Sequence, residues 1–281
     1  MRIRKYHPHK AVLFVTLSTE EGLLFQPNPL TNLVIKSCLS RAQYNHPVKI
    51  CAFLAEANHL HLILVVDNPD DVCGFVRCFK TESAHMINRI IGRKKRTVWC
   101  EGYDSPVVLT SVRALIALAY LYANPAKDNL ERSIDTYPGV SSWRMFIDNK
   151  LNETWKRIRR PMLRRLDRTD QNLRGYSDEA ERLSIKSDSE HTLKLEPNAW
   201  MEAFGILNSE EQSKINNKLI ERVRKLEDRA ETKRLLLGLR LLGHNRIINS
   251  QINTTYQSRR SGRRSACLSD VRKLRMSFLM F

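Results

Sequence analysis

The sequence predicts an α+β fold: an antiparallel sheet flanked by helices, followed by a mainly helical, basic C-terminal region. Three observations predict it. Strand-like and helix-like runs alternate through residues 11–123 in the order strand, helix, strand, strand, helix, short strands, helix. Composition changes near residue 150, where the patterned runs give way to basic and polar sequence. An amphipathic pattern then returns from about residue 209.

Taken in order, residues 2–10 form a basic lead-in, and Ala11–Ser18 is β-branched and aromatic-rich, the composition of a strand. Gly22, Pro27 and Pro29 mark a loop. Leu30–Tyr44 has helical spacing, closed by His46-Pro47. Val48–Leu54 and His59–Val66 read as two neighbouring, paired strands, the second ended by Asp67-Asn68-Pro69. Asn68 caps a helix with Pro69 at its first position. Val72, Phe75, Val76 and Phe79 begin its buried stripe, while Arg77, Lys80, His85 and Arg89 lie on the polar face. Gly92 ends it, and Arg93, Lys94, Lys95 and Arg96 follow as a basic run. Thr97–Cys100 and Val107–Thr110 are short strand-like pieces. Thr110 or Ser111 caps a helix that should stop at Asn124-Pro125. Residues 149–200 are expected to be a basic and polar linker, separating a domain at 1–148 from a helical region at 201–281. Ser209-Glu-Glu-Gln212 matches a capping box before a helix expected to reach about Leu242, and Arg259–Arg264 is a further basic cluster.

Charge narrows the partners. The chain has 281 residues and a formal charge of +17, with net +6 in residues 1–150 and +11 in the remainder. A polyanion, first of all nucleic acid, is expected. Six cysteines fall in no paired metal-ligand spacing and are expected to be reduced thiols. No apolar leader or membrane-length apolar run is visible, so no membrane association and a cytoplasmic, nucleoid-associated location are expected.

The chemistry concentrates in two places. His59 and His61 alternate on one strand, so both imidazoles project from the same face while Leu60 and Leu62 pack on the other. Two imidazoles side by side on a rigid element are half of a metal site. Glu56 is three positions from His59, the opposite face of a continuous strand, and is read as structural or outer-shell. Tyr120 and Asn124 are four apart on the later helix and share a face. A hydroxyl nucleophile and an amide oxygen ligand could be offered to one metal-bound phosphate. Tyr122 points elsewhere; it and Tyr103 are the alternative nucleophiles, and His85 is read as a surface histidine.

The pairing of Asn58-His-Leu-His61 with Tyr120-Leu-Tyr-Ala-Asn-Pro125 resembles the single-tyrosine HUH transposases, most of all the REP-associated tyrosine transposases and related small insertion-sequence transposases. The segments Trp99–Asp104 and Tyr137–Trp143 resemble the same group. The similarity spans roughly residues 10–145. Two departures stand out: Ala57 replaces the usual proline, and Ala-Lys-Asp-Asn-Leu follows Asn-Pro in place of a Val-x-Ala-Gly type. The resemblance implies an HUH, ferredoxin/RRM-like fold and a Mg²⁺- or Mn²⁺-dependent transposase. It implies His59, His61 and Asn124 as metal ligands and Tyr120 as the nucleophile that forms a 5′-phosphotyrosine link. Lys80, Arg89 and the 93–96 run are expected on DNA backbone, with single-stranded or hairpin DNA as substrate, Trp99 or Tyr103 as stacking platforms for bases, and a possible homodimer. A histidine-triad hydrolase is disfavoured because position 63 is Ile. A catalytically silent or domesticated nucleic-acid-binding protein on the same fold is the reading from a different class.

Overall fold

The computed structural model describes residues 8, 10–23, 26–56, 58–93, 97–166, 171–185, 189–249, 267–269 and 271. Strand β1 (Ala11–Ser18) leads through a short turn at Glu20–Gly22 to helix α1 (Pro29–Asn45), strands β2 (Lys49–Glu56) and β3 (His59–Val66), helix α2 (Pro69–Ile90), strand β4 (Val107–Val108) and helix α3 (Ser111–Lys127). The sheet order is β2-β3-β1-β4, with β7 (Cys267–Leu268) beside β4. β1 runs antiparallel to both β3 and β4, and β2 antiparallel to β3. Strand–helix–strand twice over, with the second unit inserted beside the first, is the ferredoxin-like arrangement. Only β4–β7, among the described pairings of this sheet, is parallel.

Alternation along the strands divides the core in two. Leu13, Val15 and Leu17 of β1 join Leu60, Leu62 and Leu64 of β3 on the face covered by α1 and α2. Phe75 and Phe79 of α2 are fully buried there, each contributing about 1.5–3 kcal/mol by leaving water. On the other face Val12, Leu54, Ile63 and Val65 meet Ala114, Leu118 and Leu121 of α3, together with Trp143 and Trp200. Helix α2 starts where expected: the Asn68 side chain accepts from the Asp70 amide at 3.1 Å, Pro69 fills the first turn, and Gly92 beyond its end takes φ +71.

Several expectations are displaced. Helix α3 runs through Pro125 to Lys127 and does not stop at Asn124. Proline removes one N–H from the ladder, and this near the helix end the chain tolerates that loss. Of the expected strand Thr97–Cys100, a single bridge from Trp99 to Thr19 remains. Residues 149–200, expected to be a linker, hold β5 (Asn152–Lys156), α5 (Leu173–Ile185), β6 (Glu190–Lys194) and the start of α6 (Ala199–Ala203). β5 and β6 form a second antiparallel pair, and Tyr176, Leu183, Leu193 and Leu195 join the core under α1. The short alternation of two strands split by a helix leaves a weak signal in sequence.

The long helix α7 (Ser209–Leu236) is capped by Asn208, whose side chain accepts from the Glu210 and Glu211 amides. Gln212 donates instead to the Ile206 carbonyl, so the expected capping box does not form. The helix ends at Leu236, short of Leu242, with Gly238 in the left-handed region at φ +62. Leu219 and Val223 are buried against α3's layer. Leu235 and Leu236 are largely exposed. Glu227 accepts from the Ile134 amide at 2.8 Å, and Arg224 pairs with Asp135 at 2.6 Å. α7 thus braces the segment that follows α3. All six cysteines are free. No helix among the described residues is long and apolar enough to cross a membrane. The Arg259–Arg264 cluster lies outside the described residues.

Candidate active site

The site sits on the α3 face of the sheet, where β3 begins. His59 and His61 project from that face with ring centroids 4.4 Å apart, edge to face. Leu60 and Leu62 pack on the other side, as alternation requires. The register Thr16↔His61 places Thr16 beside His61. Its hydroxyl lies 3.0 Å from His61 Nδ1, and Phe14 stacks on the ring at 5.1 Å. His59 Nδ1 is 3.1 Å from Asn58 Oδ1. In each histidine the δ nitrogen is engaged, which orients the ring and leaves the ε nitrogen to face the site. Burial lowers both imidazoles below their ordinary value, His61 furthest, with the neighbouring His59 and Lys127 adding to the effect. Neutral imidazole is the form that ligates a cation.

Glu56 corrects the strand reading. The chain reverses between Glu56 and His59, so the two are register partners across the β2–β3 hairpin and share a face. Glu56 is fully buried, and neither carboxylate oxygen has a hydrogen-bond partner. One of them lies 3.9 Å from His59 Nε2. Burial, with Asp128 nearby, raises its pKa well above the carboxylate range. A buried carboxyl without a donor is costly unless something cationic meets it.

Helix α3 brings the rest. Tyr120 is 44% exposed, with its ring 6.5 Å from that of His61. No hydrogen-bond partner meets its hydroxyl among the described residues. Within the chain, the tyrosine ring thus stands beside the second histidine. Asn124, one turn on, is buried, and its Oδ1 accepts from Lys127 Nζ at 3.4 Å. The continuation of α3 through Pro125 adds Lys127 at the third position of this face. Its ammonium lies 3.3 Å from the centroid of the Tyr120 ring. Burial, then the negative charges of Asp128 and Glu56, raise the Tyr120 phenol. Ionising it requires added positive charge on that side.

The donor types suit a divalent cation: two imidazoles lowered toward the neutral form and an amide oxygen, with a buried carboxyl beside His59. Among the described residues no group of three or more His, Cys, Asp or Glu side chains is placed to hold a metal ion, so a cation here would rest on the two imidazoles and a donor of another kind. Sequence reasoning missed Thr16, the face of Glu56, and Lys127. The last had a signal, seven residues after Tyr120, had the helix not been ended at the proline.

The other tyrosines are engaged elsewhere. Tyr122 is buried, with its hydroxyl 2.8 Å from Ser142 Oγ, and Tyr103 meets Cys73 Sγ at 3.3 Å. Trp99 is 5% exposed and donates to Ser83 Oγ at 2.9 Å, so its ring belongs to the core and offers no platform to a base. Lys80 donates to the carbonyls of Cys100 and Gly102 at 2.7 and 2.9 Å, clasping that loop to α2. Arg89 Nε donates to the Leu163 carbonyl. Arg93 is half-buried just past α2, His85 is exposed, and Lys94, Lys95 and Arg96 lie outside the described residues.

Residues 20–122 match the family model described as IS200-like transposase. Over that stretch, a little over a third of its length, the chain is similar to the IS200-like transposases. The matched transposase segment contains His59, His61 and Tyr120 and stops two residues before Asn124. No curated protein matches the chain. A solved structure, that of a REP-associated tyrosine transposase bound to a REP hairpin, aligns with 14% identity and a TM-score of 0.42 over 54% of this chain and 87% of that one.

Proposed function

We propose that this chain is a transposase that cuts and rejoins single-stranded DNA in a divalent-metal-dependent reaction, with Tyr120 as the nucleophile. One observation carries the reading: within a single chain, Tyr120 stands over a pair of neutral imidazoles beside a buried, unpartnered carboxyl. His59, His61 and Asn124 would hold Mg²⁺ or Mn²⁺, with the Glu56 carboxyl beside His59. When bound, such a cation supplies positive charge at the scissile phosphate, whose anionic oxygens otherwise repel a nucleophile.

The chain's own residues do the rest. The Tyr120 oxygen attacks phosphorus, the bond from phosphorus to the 3′ oxygen breaks, and a 5′-phosphotyrosine and a free 3′-hydroxyl result. The phenolic proton is balanced by the one gained at the 3′ oxygen. One phosphate ester replaces another, so the step is nearly isoenergetic, and a second 3′-hydroxyl can reverse it without ATP. Lys127 lies against the Tyr120 ring and offsets charge that grows there as the phenol loses its proton. Thr16 and Phe14 hold the His61 ring in place. The basic balance of the chain suits a nucleic-acid substrate, and hairpin-bearing single strands are the form we propose. In this reading residues 1–148 are the catalytic unit and α7, in the region 201–281, supports it.

The test is a covalent trap. The full chain is incubated with labelled, hairpin-bearing single strands and Mn²⁺, then run on a denaturing gel. A protein–DNA adduct that chelator abolishes and Tyr120→Phe lacks is the expected result. No adduct from wild type across a broad substrate pool, or an undiminished adduct with Tyr120→Phe, overturns the nucleophile assignment and leaves the silent nucleic-acid-binding reading.

A further inference from the structure

A basic segment packs on the opposite face of the sheet from the candidate site. Residues 156–165, Lys-Arg-Ile-Arg-Arg-Pro-Met-Leu-Arg-Arg, contain six basic residues and no acidic one. The segment has little regular structure beyond a short turn at Arg160–Met162, yet it is held at many points. Ile158 and Leu163 are buried in the core under α1 and α2. Ser37 of α1 accepts from the Ile158 amide and donates to the Lys156 carbonyl. Arg89 of α2 donates to the Leu163 carbonyl. Glu179 of α5, itself buried, accepts from the Arg164 amide at 2.8 Å and pairs with Arg182 at 2.6 Å. The buried Glu179 carboxylate is thus committed to Arg182 and the backbone, and the half-buried Glu82 to Arg41 and Arg157.

The consequence is a fixed strap whose charges point outward. Arg159, Arg160, Arg164 and Arg165 are exposed, and none has an ion-pair partner among the described residues. A cleft of about 370 Å³ runs between the strap and α2, lined by Arg157, Arg159 and Arg160 on one side and by Glu82, His85 and Met86 on the other; Glu82 pairs with Arg157, which leaves Arg159 and Arg160 as its uncommitted charges among the described residues. Arginines that serve only solubility need no such anchoring. Their fixed placement suits a ligand with repeating anionic oxygens. The strap contains no aromatic residue, so it has no stacking platform for unpaired bases. Phosphate contacts along a paired backbone are what remain.

The strap's position fits that partner. Ser83 of α2 bonds Trp99, Trp99 bridges Thr19, and Thr19 bonds the Asn58 carbonyl immediately before His59. The last turns of α2, with Arg89 and the strap's Leu163, therefore reach the end of the sheet where the histidines stand. Strap and site share one end of the sheet and occupy opposite faces.

We propose that Arg159, Arg160, Arg164 and Arg165 form a docking strap for the sugar–phosphate backbone of a DNA duplex stem. The inference rests on the reading of the site above: the stem docks here, and its single-stranded flank passes over the sheet end to Tyr120. Binding of this kind positions the substrate without reading sequence, and it is strongly salt-dependent.

The experiment measures binding of a labelled DNA hairpin to the full chain by anisotropy, across a salt series. The fourfold Arg→Gln variant at 159, 160, 164 and 165 is expected to lose about tenfold or more in affinity near physiological salt, and its slope of log K against log salt is expected to fall by about 2–4. The fourfold Arg→Lys variant should keep most of the slope, which separates charge from folding. The Arg→Gln variant should still form the Tyr120 adduct with a single strand that has no stem. An unchanged slope in the Arg→Gln variant overturns the strap. Equal strap-dependent binding of an RNA hairpin of the same sequence overturns the assignment to DNA. If wild type binds the hairpin with a strap-dependent slope and yet gives no adduct with any strand, the strap stands and the reading of Tyr120 fails.

Discussion

The two faces of the central sheet are built from the same strands and serve opposite needs. On the α1 and α2 face, buried leucines and phenylalanines interlock, and polar groups are spent on fixing backbone: Ser37, Arg89 and Glu179 each hold the basic strap. On the α3 face, the end nearest His59 leaves polar groups unspent. Glu56 has no donor, Tyr120 no partner for its hydroxyl among the described residues, and two imidazoles are kept neutral by burial. The difference shows how one fold separates holding from reacting. The contrast is one of degree, since Asn32 Oδ1 and the Tyr176 hydroxyl also lack a hydrogen-bond partner among the described residues on the α1 and α2 face; on the α3 face the unsatisfied groups gather at one end of the sheet, where they stay available to a cation and a phosphate.

Substitutions can break that contrast. The largest effect is expected from Tyr120→Phe, which should reduce adduct formation by about a thousandfold or more while hairpin binding and thermal stability stay near wild type. A comparable loss of stability would show that the ring serves packing. On the other face, Phe79→Ala should cost about 3–5 kcal/mol by denaturant unfolding, since Phe79 is fully buried and packs on Trp99.

A smaller loss, about 2 kcal/mol near neutral pH, is expected for Glu179→Gln. It also carries a pH signature. Burial alone would raise the Glu179 carboxyl, but the Arg182 contact and the Arg164 amide outweigh it and hold it below the usual range. Its stabilising contribution is present above the unfolded-state value and is lost as pH falls through the lower folded one. Acid unfolding curves of wild type and Glu179→Gln should therefore converge below the ordinary glutamate range. Curves that stay parallel throughout would remove the charge-based account of the anchor. The smallest effect is expected from Thr16→Val, which takes the partner from His61 Nδ1 and should weaken Mn²⁺ binding about tenfold, read by calorimetry. Unchanged Mn²⁺ affinity would mean that stacking on Phe14 orients the ring by itself.

Much of the site could be read from spacing. His59 and His61 share a strand face, and Tyr120 and Asn124 a helix face, because both periods are properties of the backbone. The errors came where a period was carried across a break or cut short at one. Glu56 was assigned to the opposite face of a continuous strand, but a hairpin turn resets the alternation, and its partner across the ladder is His59. Lys127 was missed because Pro125 was read as a stop. Trp99 was offered to bases, yet the indole closes the core against Phe79. The strap, expected to be part of a linker, owes its order to α1 and α2, more than sixty residues before it, as well as to α5, the next helix.

By itself, then, the sequence determined the elements from β1 to α3, the facing of each candidate side chain on its own element, the basic balance, and the pair of motifs that resemble the single-tyrosine transposases. These follow from local geometry and composition, which the neighbouring residues set. Tertiary structure alone decided that α3 crosses the start of β3, so that Tyr120 stands 6.5 Å from His61 in the same chain. It also decided that α7 braces the segment after α3 and that Lys127 reaches the tyrosine ring. Such contacts join residues far apart in the chain. They depend on how many individually weak packing terms add up, and no periodicity records that sum.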